Sequence, residues 1–294
     1  MHFRKITIVG VGLLGGSIGM AVRKKRLAGQ VAGYVRRQSS IAQCRKRGAV
    51  DVATRNLHEA VAGADLIVLC TPLGQMAALT KRMLPAIKRG AILTDVGSVK
   101  ADVTRELERL ARKAGAHFIG SHPMAGLEAT GVAAARPDLF VDAVCVVTPT
   151  RSSDPAALGK VQRFWKVLGA RVLRLPAEQH DLLVSRSSHL PHFAAVTLTN
   201  LVLHPKLPKI QAALCANGFR DSTRIASGSP QMWRDIALAN RKHVDRMVAG
   251  FIIELQKFRR VLRTGDANMI LQILRLAKTR RDLWRAGGNS RSSE

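Results

Sequence analysis

His122 is the side chain of this sequence best suited to exchanging a proton near neutral pH, because an imidazole titrates there. It stands in Gly120-Ser121-His122-Pro123-Met124-Ala125-Gly126-Leu127-Glu128, where an apolar run ends in a loop carrying His, Pro, Gly and Glu. A lone histidine is as readily structural. Its place at the C-terminal end of a strand, on the same sheet as a phosphate-binding turn, is what points to catalysis. That turn is Gly10-Val11-Gly12-Leu13-Leu14-Gly15. Gly10 permits a tight turn, and Gly12 places no side chain between the backbone and a pyrophosphate. Gly15 lets a helix pack close to a strand, and the helix N-terminus offers free N–H groups to the phosphates.

Strands and helices must position these groups. Ile6-Thr7-Ile8-Val9 reads as a strand buried on both faces, and the residues after Gly15 have helical apolar spacing. The glycine pattern therefore sits between a strand and a helix, as a dinucleotide site requires. A second strand, Gln30 to Val35, ends in Arg36-Arg37-Gln38-Ser39-Ser40. An NAD-specific site would place an acidic residue there for the ribose hydroxyls. Here eleven Lys and Arg precede the first carboxylate, Asp51. Arg36, Arg37 and Ser39 suit the 2′-phosphate of NADP, because Arg holds phosphate through paired hydrogen bonds. The alternative is that both arginines are solvated and that Ser39 or Ser40 caps the next helix.

The next expected strand, Asp65 to Cys70, ends at Thr71-Pro72, which then face the cofactor crevice. A helix over 73–87, a strand over Ala91–Asp95 and a helix to Ala114 follow. This alternation predicts a parallel, doubly wound sheet. It finishes with strands over 143–148 and 170–175 and a helix from Pro155 to Leu168. Beyond Pro176 the pattern is helical, over 177–203, 208–227, 230–263 and 266–285. Val244, Met247, Val248, Phe251, Ile252, Leu255 and Phe258 have the spacing of one buried helix face. The expected domains are 1–176 and 177–286, with a disordered tail over 287–294.

Composition narrows the class. A chain of 294 residues with 47% hydrophobic content can bury a real core. No apolar run reaches the length of a membrane span, and the first strand begins too early to leave room for a signal peptide. Cys44, Cys70, Cys145 and Cys215 are far apart and form no C-x-x-C pair. They read as reduced, mostly buried thiols of a cytoplasmic protein, with no metal site. The net charge of +27 raises the question of a nucleic-acid partner. Aromatic residues make up only 4%, and no nucleic-acid-binding signature is present. A basic surface and anionic ligands are the expected explanation, since charge alone supports only nonspecific attraction.

Six stretches in order carry a family likeness. They are the Gly12–Ser17 turn, Asp95-Val96-Gly97-Ser98-Val99-Lys100, Gly120–Gly126, Ser188-His189-Leu190-Pro191-His192, Gly218–Ala226 and Met232-Trp233-Arg234-Asp235-Ile236. Together they resemble the prephenate/arogenate dehydrogenases of tyrosine biosynthesis. The resemblance implies an α/β Rossmann-type doubly wound sheet followed by an all-helical dimerisation domain, and so a homodimer. It implies oxidative decarboxylation of prephenate with hydride transfer to a nicotinamide cofactor. His122 would accept a hydrogen bond or proton from the 4-hydroxyl. Ser98 would bond the same hydroxyl and help fix His122. Arg224 would grip a substrate carboxylate, His192 would touch the substrate, and His189 would be structural or a second contact. Glu128 and Asp221 would form an ionic gate with Arg224, and Trp233 would line or close the pocket. Arg36-Arg37 departs from the NAD-using members and resembles the NADP-using ones, several of which prefer arogenate.

Two rival readings stand beside this one. A 3-hydroxyacid dehydrogenase shares the two-domain plan but carries a catalytic Lys-containing helix motif, where this chain has Ser188-His189-Leu190-Pro191-His192. A non-catalytic NADP- or nucleic-acid-binding protein would bind polyanions in a salt-sensitive manner and turn nothing over.

Overall fold

The computed structural model describes residues 2–126 and 129–289. By its internal contacts the chain divides into two compact units, residues 1–244 and 245–294.

The first part of the chain runs β1 (Phe3–Val9), α1 (Leu13–Lys24), β2 (Ala28–Tyr34), α2 (Gln38–Lys46), β3 (Val52–Thr54), α3 (Leu57–Val61), β4 (Leu66–Leu69), α4 (Leu73–Met83), β5 (Ile92–Asp95), α5 (Ala101–Lys113), β6 (His117–Pro123), β7 (Val144–Thr148), α6 (Pro155–Val167) and β8 (Arg171–Arg174). The eight strands form one sheet in the order β3-β2-β1-β4-β5-β6-β7-β8. The order reverses between β1 and β4, which opens a crevice at the strands' C-terminal ends. The alternation of β4 shows why the strand reads as a continuous apolar run. Leu66 and Val68 enter the core on one face, with Ile18 and Trp165, and Ile67 and Leu69 enter the other, with Met83 and Leu107.

Two features depart from expectation. The strand at residues 65–70 is the fourth, not the third, because β3 and α3 intervene; β3 is only three residues long and gives almost no pattern to read. The sheet is also not wholly parallel, since β6 and β7 pair antiparallel. Among the described residues between them there is no crossover helix, only a 3-10 turn at Val132–Ala134, and a parallel neighbour needs a crossover. That connection packs on α1, where the Arg136 N–H donates to Ser17 Oγ at 3.0 Å.

The helical part contains α7 (Ala177–Val184), a π turn at Ser185–His189, α8 (Leu190–Val202), α9 (Ile210–Ala213), α10 (Asn217–Thr223), a 3-10 turn at Arg224–Ser227, α11 (Pro230–Ala239), α12 (Arg241–Thr264) and α13 (Ala267–Asn289). The expected helix over 208–227 is thus broken into short pieces, and that over 230–263 breaks at Asn240. The π turn precedes Pro191, which has no N–H for the carbonyl four residues back; the wider turn takes up the mismatch. Helix α13 continues to Asn289, past the expected start of the disordered tail, and residues 290–294 lie outside the described ones. No residue of α12 is buried in the single chain, so the face containing Phe251, Ile252 and Leu255 is exposed there. Among the described residues no helix is long and apolar enough to cross a membrane.

Helix α1 approaches the chain after α2 without a side chain between them. A Cβ on Gly19 would meet the Ala49 carbonyl oxygen at 1.9 Å. Backbone cannot yield as a side chain can, so Gly19→Ala should lower unfolding stability by about 1–3 kcal/mol or more. Denaturant unfolding checks this; a wild-type midpoint would show that α1 does not pack this closely.

Candidate active site

The crevice at the strand ends is built from the glycine turn outward. Its wall comprises Gly10, Val11 and Gly12 after β1, Arg36, Arg37 and Ser40 after β2, and Thr71, Pro72 and Gln75 after β4, around about 410 Å³. Gly10 has φ +100°. A Cβ on Gly15 would meet the Gly10 carbonyl oxygen at 2.2 Å, whereas one on Gly12 would meet nothing within 4 Å. Gly15 therefore serves close packing, and Gly12 leaves open space for a ligand against the backbone. Thr71 Oγ1 is buried without a hydrogen-bond partner, a polar atom that a bound group would satisfy. These features fit a dinucleotide. Leu13 and Leu14 begin α1 beside the turn and are not part of the lining. Ser40 rather than Ser39 lines the crevice, because α2 starts at Gln38 and its first turn leaves Ser39 exposed.

The second site gathers on β6 and the helical segment. His122 is the penultimate residue of β6 and is 8% exposed. Its Nδ1 lies 2.8 Å from His180 Nε2, and His180 Nδ1 lies 2.7 Å from Asp181 Oδ1. The Asp181 carboxylate receives the Lys100 N–H and the Ala101 N–H, each at 2.8 Å, at the start of α5. Asn240 Nδ2 donates to the Asp181 carbonyl at 2.9 Å and lies 3.1 Å from His189 Nδ1. An amide nitrogen can only donate, so His189 Nδ1 accepts and its proton sits on Nε2, which is buried and unpartnered. His192 stacks on Trp233, with ring centroids 3.5 Å apart and planes 7° from parallel. Trp233 fits there because a Cβ on Gly228 would lie 2.6 Å from its Nε1. His192 Nδ1 is also buried without a partner.

The electrostatics keep these rings neutral. Burial holds the His122 imidazole well below its usual range, and His180, Lys100 and His189 push the same way. Burial likewise pushes His189 down to about 4 and lowers His192. Beneath His122 the Lys100 ammonium is fully buried against the equally buried Asp95 carboxylate. Lys100 Nζ also donates to the Ser121 carbonyl at 3.0 Å, and the Ser121 N–H donates to Asp95 Oδ1 at 3.1 Å. This network fixes the backbone next to His122.

Other expected residues fall less tightly. Ser98 is half-buried between β5 and α5; the hydrogen bond that holds the His122 ring comes from His180. Arg224 lines a cavity of about 570 Å³ with Cys215, Phe219, Arg220, Thr223 and Ser227. The Arg224–Ser227 turn packs on α8, the helix that carries His192. Asp221 is exposed on α10. Glu128 lies outside the described residues, and with it the expected gate. Of the thiols, Cys44 and Cys145 are buried and Cys70 and Cys215 partly so. Sequence reasoning passed over His180, Asp181, Asn240 and Lys100 as site components. The adjacent pair His180-Asp181 was a signal, since a carboxylate beside an imidazole orients its ring.

The chain was compared with known proteins. The family model for the prephenate dehydrogenase nucleotide-binding domain matches residues 18–174, and that for the prephenate dehydrogenase dimerization domain matches 176–276. Prephenate dehydrogenase of Bacillus subtilis is 32% identical over 94% of this chain and 75% of that protein. Cyclohexadienyl dehydrogenase of Zymomonas mobilis is 32% identical over 92% of each. The crystal structure of Aquifex aeolicus prephenate dehydrogenase, in complex with hydroxyphenyl propionate and NAD+, superposes with a TM-score of 0.89 at 30% identity, covering 96% of this chain and 98% of that one. Synechocystis arogenate dehydrogenase superposes with a TM-score of 0.80 at 29% identity, over 95% and 99%.

Fold and comparisons together define an NAD(P)-dependent oxidoreductase, with a Rossmann-type sheet domain followed by a helical domain of the dimerization type. The chain belongs to the prephenate/arogenate dehydrogenase family.

The buried ion pair under the site gives a direct test. Lys100→Met leaves Asp95 charged and uncompensated, which should cost about 3–5 kcal/mol. Adding Asp95→Asn should recover much of that in denaturant unfolding. An unchanged midpoint in the single variant would mean the pair is not buried as described.

Proposed function

We propose that this protein converts prephenate to 4-hydroxyphenylpyruvate by oxidative decarboxylation, with NADP as the preferred hydride acceptor. The observation that carries this reading is the set of three buried, neutral imidazoles, His122, His189 and His192, with Arg224 on the turn that packs against the helix of His192. Neutral rings can accept hydrogen bonds from a hydroxyl or donate them to an oxygen, and a guanidinium grips a carboxylate. The second reading is arogenate oxidation to tyrosine, or use of both substrates. It is supported by relatives whose names divide between prephenate, arogenate and cyclohexadienyl dehydrogenase.

Bound at the Gly10–Gly15 turn, with Arg36 and Arg37 toward its 2′-phosphate, NADP would supply the hydride acceptor. The protein then has three tasks. His122 accepts a hydrogen bond from the C4 hydroxyl, which strengthens as the C4 oxygen becomes carbonyl-like. That hydroxyl keeps its proton in the phenolic product, so His122 need not remove it for good. As the C4 hydride departs, the C1 carboxylate leaves as carbon dioxide and its bonding pair completes the aromatic ring. Arg224 binds a substrate carboxylate, with His192 and the His189 Nε2–H as further contacts, and Trp233 supplies an apolar wall. Ser98 is placed by the resemblance at the same hydroxyl, and Asp221 and Glu128 around Arg224. A homodimer through the helical segment is supported by the dimerization-domain match and the uncovered apolar face of α12.

Cofactor reduction should appear when prephenate or arogenate is paired with NADP, and more weakly with NAD. No turnover in any pairing, from folded protein, would overturn the reading. His122→Asn should lose about a hundredfold in kcat, as for a lost acid–base group. Arg36→Ala with Arg37→Ala should raise KM for NADP roughly 10- to 100-fold, the equivalent of one charge-assisted bond, and leave KM for NAD little changed. An equal effect on both cofactors would count against NADP preference.

The pH profile has a definite sign. His122 must be neutral to accept, and its environment lowers its pKa, so the neutral form persists to lower pH than in a free imidazole. The acid limb of kcat/KM should therefore lie below about 6.5. A limb at or above that value would show that His122 is not the controlling group.

A further inference from the structure

Three imidazole and carboxylate groups form a bonded chain, Asp181–His180–His122, of which the reaction scheme above uses only His122. We propose that His180 is a positioning residue that fixes the tautomer of His122, with the proton on Nδ1 and a bare acceptor on Nε2. The inference rests on reading His122 as the acceptor for the substrate hydroxyl.

The argument runs from the carboxylate inward. Both Asp181 carboxylate oxygens act as acceptors at the start of α5, Oδ1 from the Lys100 N–H and Oδ2 from the Ala101 N–H. The His180 nitrogen 2.7 Å from that carboxylate must then be the donor, so a neutral His180 carries its proton on Nδ1. Its Nε2 is left with a lone pair. That lone pair can be satisfied only if His122 Nδ1, 2.8 Å away, donates to it. His122 Nε2 is therefore the acceptor atom, and the other tautomer would leave two lone pairs facing each other in a buried place. The two rings meet edge to face, with planes at 73° and centroids 5.1 Å apart. A doubly protonated His180 would donate from Nε2 and reverse the hydrogen bond to His122, so reading the His122 tautomer separates the two states.

The test reads the tautomer directly. NMR of isotope-labelled histidine nitrogens in the substrate-free protein, with His122 assigned through its loss in His122→Asn, should show Nδ1 protonated and Nε2 bare. A proton on Nε2 would overturn the proposal, whatever the enzyme's substrate. His180→Phe keeps an aromatic ring but cannot accept. It should move the His122 proton to Nε2 and lower kcat on the order of a hundredfold, with KM for substrate and cofactor little changed. An unchanged tautomer or an unchanged kcat in that variant would overturn the proposal. His180→Gln, whose amide oxygen can accept, should keep the Nδ1 proton and recover most of the rate; rescue of this kind is not expected of a residue that only fills space. Should His180→Phe fail to fold, the wild-type tautomer decides alone. Absence of turnover in the wild type would instead sink the proposed function, and the tautomer would still be readable.

Discussion

The carboxylate of Asp181 ties the molecule together. It accepts two N–H groups at the start of α5, which follows β5 of the sheet, while its own backbone belongs to α7. The helix start has donors with no intrahelical partner, and the carboxylate satisfies two of them in the favourable field of the helix dipole. The same carboxylate orients His180, and its peptide carbonyl takes the Asn240 amide. One buried acidic residue thus sets the register between the sheet and the first helical layer. Because His122 hangs from the end of this chain, a small displacement of α7 would be felt at its imidazole.

Such a polar centre is costly to bury and holds only when every member is paired. The Asp95–Lys100 pair meets that condition. Each charge is fully buried, and the remaining valences go to the backbone of Gly97 and Ser121. Trp165 Nε1 and Thr94 Oγ1 close the network through Ser121 Oγ, at 3.0 and 2.9 Å. Among the described residues, the buried side-chain atoms without a partner lie elsewhere, on Thr71, Thr80, His189 and His192. Three of these four face the crevice or the imidazole cluster. A pre-formed site shows itself in this contrast between saturated scaffold and unsaturated lining. The surplus of 47 basic over 20 acidic residues adds a long-range field that favours anionic ligands.

Much of this was legible in the order of residues, though unevenly. The glycine turn could be read because its demands are local: φ +100° at Gly10 and no side chain at Gly12 or Gly15. Strand β4 could be read because burial on both faces leaves an unbroken apolar run. The three-residue β3 could not, nor could the antiparallel turn of β6 to β7, which depends on a missing crossover rather than on any residue type. In α12 the apolar spacing was read correctly as a stripe, but spacing does not say whether the chain itself or another molecule covers it.

His122 could be marked as chemically able from its type and its strand-end position. What it bonds to could not be. His180 is 58 residues away along the chain, and the carboxylate that orients it caps a helix 80 residues earlier. The sequence by itself determined the doubly wound plan and the phosphate turn, because each follows from periodicity or from the conformational limits of single residues. Only the tertiary structure decided which histidine supports which, because a hydrogen bond between distant residues depends on how two packed layers meet and leaves no local pattern.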